Sequence, residues 1–379
     1  MERFIAERFK NFSKGLVLDT KALASYDDII DLSIGDPDLV TDEKIIRAAM
    51  NDALSGYTSY GDPQGDPQLR EAICRDWQKR YGQTVLPSEV FVSNSAGLGM
   101  LLLLIAFTDP GDEVLLLSPH YPEYTGQIRL AGGVPVEVVL SSDDGFAVTR
   151  EKLEAALTEK TKMLIFNNPV NPTGVHYKEE TLRLLADFAK EHGLLILADE
   201  IYTDYVYDEP FRSILTVPGG RDVALSVGSF SKNSQMAGWR VGYVVAEESL
   251  MGLFLDISDL LTYVAPSVSQ RAAIKALEIR EEIIENKISV FRERVEYGAE
   301  RLSKIKGISI MKPRGTFYLF PSIKGTGMTS EEFCDWLLKE KHIMATPGSA
   351  FGAGGEGFVR ISCTCPIEKI KEAMDRLEK

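Results

Sequence analysis

Cysteine, histidine and long apolar runs are scarce in this chain, and each scarcity closes a class of function. Four cysteines among 379 residues make no disulfide framework. Cys363 and Cys365 alternate with polar residues in what reads as a strand. Their C-x-C spacing has no second pair and no nearby histidine, so no zinc site is expected. Reduced thiols in a cytoplasmic protein are the expected state. The four histidines (His120, His176, His192 and His342) are scattered, leaving no Ser–His or His–metal constellation. The longest apolar run, 98–107, is about half of the roughly 20 residues that span a bilayer. Residues 1–8 carry acids where a secretory leader would be apolar. No membrane contact is expected.

Positive charge is also in deficit. Lys and Arg total 42 against 56 for Asp and Glu, a net charge of −14. Such a surface, with no dense basic run, repels a phosphate backbone, so nucleic acid is not an expected partner. Small anions escape this argument, because one or two placed arginines bind them inside an acidic protein. No G-x-x-x-x-G-K-[ST] occurs. Residues 352–357 (GAGGEG) spell G-x-G-x-x-G but precede a strand instead of joining a strand to a helix. A flexible surface loop is expected there. Residues 229–232 (SFSK) spell S-x-x-K without the S-D-N and K-T-G partners of that chemistry.

What is present is an ordinary globular composition, 44% hydrophobic and 26% charged. The length suits about two to three domains. Short apolar runs at 90–92, 113–117, 163–166, 194–198, 223–227 and 241–245 read as strands. Helical patterns at 97–107 and 179–192 fall between them. Continuous apolar strands separated by helices predict a mostly parallel sheet covered on both faces. From 269 to 306 the pattern becomes one long charged helix. Strand-like segments at 315–320 and 358–362 and helices at 330–340 and the C-terminus follow, an α+β pattern.

Open parallel sheets bind ligands beyond the C-terminal ends of their strands, and polar residues gather there in this sequence. Ser95-Ala96-Gly97 joins a strand to a helix, a geometry that aims backbone N–H groups and the helix dipole at an anion. Any tight strand–helix turn also uses small residues. Asp199 ends a buried strand, where a carboxylate is costly unless it meets a cation. A helix cap or a surface acid is the competing reading.

The stretch 229–242 (SFSKNSQMAGWRVG) resembles the class I and II aminotransferases, fold-type I enzymes that use pyridoxal 5′-phosphate. It matches their lysine signature, S-x-[STA]-K followed by a hydrophobic residue and G-x-R-[hydrophobic]-G. Gln235 stands where small residues or Asn are usual. The resemblance runs along nearly the whole chain. Residues 34–38 (IGDPD) are similar to the N-terminal substrate loop, and Tyr60 to Arg70 to the Y-x-x-x-x-G-x-x-x-L-R segment. Tyr121 sits where an aromatic stacks on the cofactor. Residues 168–174 (NPVNPTG), 199–202 (DEIY) and 358–362 (FVRIS) match three further family motifs.

The resemblance implies an α/β fold: a large domain at 46–275 and a smaller α+β domain from 1–45 and 276–379. It implies that Lys232 bonds the cofactor and moves the proton, and that Asp199 faces the ring nitrogen. Tyr202 and Asn171 would reach the ring oxygen. Ser95, Ala96, Gly97, Ser229 and Arg240 would hold the phosphate, with Tyr60 reaching it from the other subunit of a homodimer. Arg360 would bind the substrate α-carboxylate, helped by Asn171 and Gly35. Aspartate aminotransferases of the closest subgroup often carry a lysine at the position of Gly97, for the distal carboxylate. Its absence here weakens an aspartate assignment, and Ser95 replaces a common Gly. The expected activity is amino-group transfer from an L-amino acid to a 2-oxo acid by ping-pong chemistry. The alternatives are a β-eliminating lyase and a non-catalytic effector-binding protein.

Overall fold

The apolar runs form strands because their alternate side chains serve two cores. Val114 and Leu116 enter one and Leu115 and Leu117 the other, so neither face of the sheet is left to water. The structure, a computed structural model, describes residues 2–6, 9 and 26–379. Most of the 1–25 part expected in the smaller domain, and part of the 1–8 segment, lie outside the described residues.

In chain order the strands are β1 (Ile30–Asp31), β2 (Val90–Ser93), β3 (Glu113–Ser118), β4 (Val134–Val139), β5 (Thr161–Asn167) and β6 (Leu195–Asp199). They continue with β7 (Ala224–Ser229), β8 (Gly242–Val245), β9 (Tyr318–Leu319), β10 (Ile343–Met344), β11 (Thr346–Pro347) and β12 (Val359–Ser362). Seven of them form one sheet in the order β2-β8-β7-β6-β5-β3-β4. All neighbours are parallel except β8, which runs against both β2 and β7. The mostly parallel, helix-covered sheet is thus as the sequence predicts. Two small sheets stand apart: β1 with β10, parallel, and β11-β12-β9, antiparallel.

Three local features differ from the sequence reading. β4 was not among the predicted strands because Pro135 and Glu137 interrupt its apolar run; it lies at the sheet edge, where proline's missing donor costs nothing. The helix expected over 269–306 is interrupted. Ser267–Glu278 ends, a π-turn spans Ile284–Ile288, and Ser289–Leu302 resumes. Ile283 and Ile288, both buried, are five residues apart, a spacing that an α-helix turns away from one face and a π-turn restores. Residues 352–357 are not a free loop. The Ala353 N–H donates to Glu137 at 2.7 Å, and a Cβ on Gly354 would lie 2.6 Å from the Ser118 carbonyl oxygen. Close approach to the sheet, not flexibility, explains those glycines. Among the described residues, no helix is long and apolar enough to cross a membrane.

Candidate active site

Beyond the C-terminal ends of β5, β6 and β7 lies a cavity of about 560 Å³. The sequence-predicted residues Gly35, Ser95, Ala96, Gly97, Tyr121, Asn171, Asp199, Tyr202, Ser229, Lys232, Arg240 and Arg360 all line it. Tyr60 does not. It is 82% exposed and meets Tyr263 edge-on, with ring centroids 5.1 Å apart.

The floor is set by Asp199, the last residue of β6. Burial raises its carboxyl to a pKa of about 6, against the opposing pull of hydrogen bonds from Tyr124 and the Ile201 backbone. The Tyr124 hydroxyl donates to Oδ2. Oδ1 is buried with no hydrogen-bond partner among the described residues. An orphaned, buried carboxylate oxygen fits a protonated ring nitrogen, the donor that pyridoxal 5′-phosphate carries.

At one side, Ser95 caps the helix Ala96–Phe107, its Oγ accepting from the Leu98 N–H at 3.0 Å. That leaves the first N–H groups of the helix for an anion. Gly242 makes this possible: a Cβ there would lie 2.6 Å from the Ala96 nitrogen. Arg240 precedes it with φ 55°, its guanidinium at the cavity. Among the described residues Arg240 has no carboxylate partner; it donates to the Ala237 carbonyl at 2.7 Å. Hydroxyl, amide and guanidinium donors without an internal anion fit a phosphate dianion.

Opposite stands Arg360 on β12, only 3% exposed. The rings of Tyr318 and Phe351 both lie against its guanidinium, with centroids 4.5 and 4.9 Å from Cζ. It donates to Asn171 Oδ1 at 3.1 Å and to the Ser33 carbonyl at 2.6 Å, and its Nε has no partner among the described residues. No described carboxylate pairs with it, which fits a ligand carboxylate. The Asn171 N–H donates to Asn167 Oδ1 at 2.7 Å, and Asn167 Nδ2 donates to the Asp199 carbonyl at 2.9 Å. One hydrogen-bonded chain therefore spaces the guanidinium from the end of β6.

Lys232, in the loop after β7, lies between these ends and donates to the Gly35 carbonyl at 2.6 Å. Burial pulls its pKa down to about 8; nearby Asp36 opposes this, and Arg360 and Arg240 add to it. Gly35 must be glycine here, since a Cβ would fall 1.8 Å from the Tyr318 hydroxyl oxygen. That hydroxyl is 3.2 Å from the hydroxyl of Tyr202.

Tyr124, Asn167, Ser33 and Tyr318 were not singled out from the sequence. Tyr124 alone had a signal, three residues past Tyr121 beside a predicted strand end.

The family described as Aminotransferase class I and II matches residues 27–377. The chain is 38% identical to the aspartate aminotransferase of Thermotoga maritima, covering 97% of this chain and 96% of that one. It is 37% identical to the aromatic-amino-acid aminotransferase 2 of Thermococcus litoralis, covering 93% and 91%. The solved aromatic aminotransferase of Pyrococcus horikoshii superposes with a TM-score of 0.90 at 37% identity, covering 94% of this chain and 97% of that one.

Proposed function

The chain belongs to the class I and II aminotransferases, and on that premise we propose which of its residues carry the reaction. It is a pyridoxal 5′-phosphate enzyme that moves the amino group of an L-amino acid to a 2-oxo acid. The cofactor supplies the electron sink that makes an amino acid's α C–H acidic. Lys232 bonds it and, as a free amine, takes and returns the α-proton. Asp199 keeps the ring nitrogen protonated, and Tyr124 holds Asp199 in its charged form. Tyr202 and Asn171 donate to the ring oxygen. Ser95, Ala96, Gly97, Ser229 and Arg240 hold the phosphate, and Tyr121 packs on the ring. Arg360 takes the α-carboxylate, with Asn171 and the Gly35 backbone beside it.

The observation that carries this reading is three unmet groups in one cavity: a buried guanidinium without a carboxylate, an amine of lowered pKa, and a carboxylate with an orphaned oxygen. The test supplies a panel of L-amino acids with 2-oxoglutarate or pyruvate. The expected result is equal amounts of the donor's 2-oxo acid and the acceptor's amino acid, without free ammonia. Ammonia and pyruvate released without an acceptor would assign β-elimination instead.

The reading includes two lobes, 46–275 around the cofactor and 1–45 with 276–379 closing over the substrate. In its support, the seven-stranded sheet falls wholly within the first and both small sheets within the second.

It also includes a homodimer with Tyr60 reaching the partner's phosphate site. Leu54, Tyr60 and Leu260 are each more than 80% exposed, and Met50, Tyr57, Leu253 and Tyr263 are also open to solvent. The Tyr60–Tyr263 contact and the hydrogen bond from Ser267 to the Ser59 carbonyl tie these segments into one surface. An apolar patch of that kind marks an interface. Mixing Tyr60→Ala chains with Lys232→Ala chains should regain activity, because one site of each heterodimer then holds Lys232 and a partner's intact tyrosine. No regain in heterodimers confirmed by mass spectrometry would place Tyr60 in its own subunit's site.

A further inference from the structure

The charges of the cavity do not balance once each cation has its task. Resting on the reading above, Arg360 is taken by the α-carboxylate, Arg240 by the phosphate and Lys232 by the cofactor. Asp199 answers the ring nitrogen. Two carboxylates that line the same cavity, Asp36 and Glu123, are then left without a cation. Neither has an ion pair among the described residues.

Glu123 opens the helix Glu123–Leu130, two residues after Tyr121. The helix dipole favours an acid there, but it satisfies no specific oxygen. Among the described residues Glu123 Oε2 is shielded from solvent and has no hydrogen-bond partner, while the Glu123 charge acts on the nearby Tyr121 hydroxyl. Tyr318, whose ring lies against Arg360 and whose hydroxyl abuts Gly35, feels the negative charge of both Asp36 and Glu123. Asp36 follows Gly35, which abuts Tyr318, and Glu123 lies two residues after Tyr121, so both acids line the cavity that Arg360 lines and stand within reach of a substrate held there by its α-carboxylate. The same cavity is also lined by apolar side chains, among them Ile34, Tyr121 and Met344.

We infer that Glu123, seconded by Asp36, sets donor specificity: the cavity favours an amino acid whose side chain ends in an ammonium or guanidinium group and disfavours dicarboxylic donors. A substrate carboxylate placed there would meet two like charges and no cation. A substrate cation would pair with the orphaned oxygen of Glu123. This separates the chain from relatives named for aspartate, at the same cavity and by charge alone.

The test measures kcat/KM for L-ornithine, L-aspartate and L-norvaline, the last an uncharged reference within each enzyme. Binding of 2-methylornithine and 2-methylaspartate, which have no α-proton to lose, is measured in parallel by calorimetry. In the wild type, ornithine should exceed aspartate in both assays. Glu123→Gln should lower the ornithine-to-aspartate ratio by about tenfold, and Asp36→Asn should move it the same way by less. A wild type that prefers aspartate, or a ratio unmoved in both variants while norvaline is still consumed, overturns the inference. Failure to consume all three donors instead overturns the roles proposed above.

Discussion

Lys232→Ala should bring amino-group transfer down by at least about 10⁴-fold, the upper range for one proton-transferring group. The same variant should lose cofactor attachment. After borohydride reduction and digestion, the wild-type peptide carrying Lys232 should have gained the mass of reduced cofactor, and the variant should carry it nowhere. The amine is suited to the task by its surroundings. Burial and the guanidinium groups of Arg360 and Arg240, against the pull of Asp36, lower its pKa from 10.5 to about 8. At pH 8 about half of such amines are neutral, against roughly one in 300 for an ordinary lysine. Attachment of cofactor to the cofactor-free enzyme should therefore accelerate as pH rises through about 8 and level off above it. Transfer that survives Lys232→Ala, or cofactor fixed to another lysine, would remove Lys232 from the chemistry.

Asp199→Asn should have opposite effects on rate and on stability. The shape and the Tyr124 hydrogen bond can persist, but the charge that keeps the ring nitrogen protonated is gone. A single preorganised electrostatic group of this kind is worth about 3–4 kcal/mol, so kcat should fall by about 10²–10³-fold with cofactor still bound. In the cofactor-free protein the same carboxylate is a liability. Its folded pKa, about 6, lies above its ordinary value of 3.8, so the folded state binds the proton more tightly than the unfolded state does. The stability it contributes is present below about pH 3.8 and lost as pH rises through about 6. Above that range the buried charge costs on the order of 3 kcal/mol. Cofactor-free Asp199→Asn should therefore resist urea better than the wild type at pH 8, with the difference shrinking towards pH 4. An unchanged urea midpoint at pH 8, together with near wild-type turnover, would mean that Asp199 does not face the ring.

The residues legible in the sequence are those whose chemistry is carried by their own side chain within a local motif. Lys232, Asp199, Arg240 and Arg360 each sit in a short pattern whose spacing repeats the family's, and all four line one cavity. Tyr124, Asn167, Tyr318 and Ser33 act through tertiary approach. The hydrogen bond from Tyr124 to Asp199 joins β6 to the helix Glu123–Leu130, and no spacing rule reports such a meeting. Ser33 contributes only a backbone carbonyl, to which any residue type is equivalent. The sheet was readable where both faces are buried and runs are continuous. It was not readable at β4, where the edge position permits proline and glutamate. The π-turn at Ile284–Ile288 escaped because a five-residue spacing of isoleucines is also compatible with an unbroken helix of broader apolar face.

The contact between Arg360 and the Ser33 carbonyl joins positions 327 apart, and β1 pairs with β10 in the same region. During synthesis the seven-stranded sheet is complete once β8 has left the ribosome, and its contacts can form early. The proposed substrate anchor, Arg360, cannot. Its guanidinium arrives with β12, and the carbonyl that orients it has waited since β1 for that strand. Pairings of such long range are slow to form. A chain interrupted before β12 would hold a finished cofactor floor with nothing to grip a substrate. On the roles proposed above, translation thus installs the means of taking hold of an amino acid after the groups that would attack it.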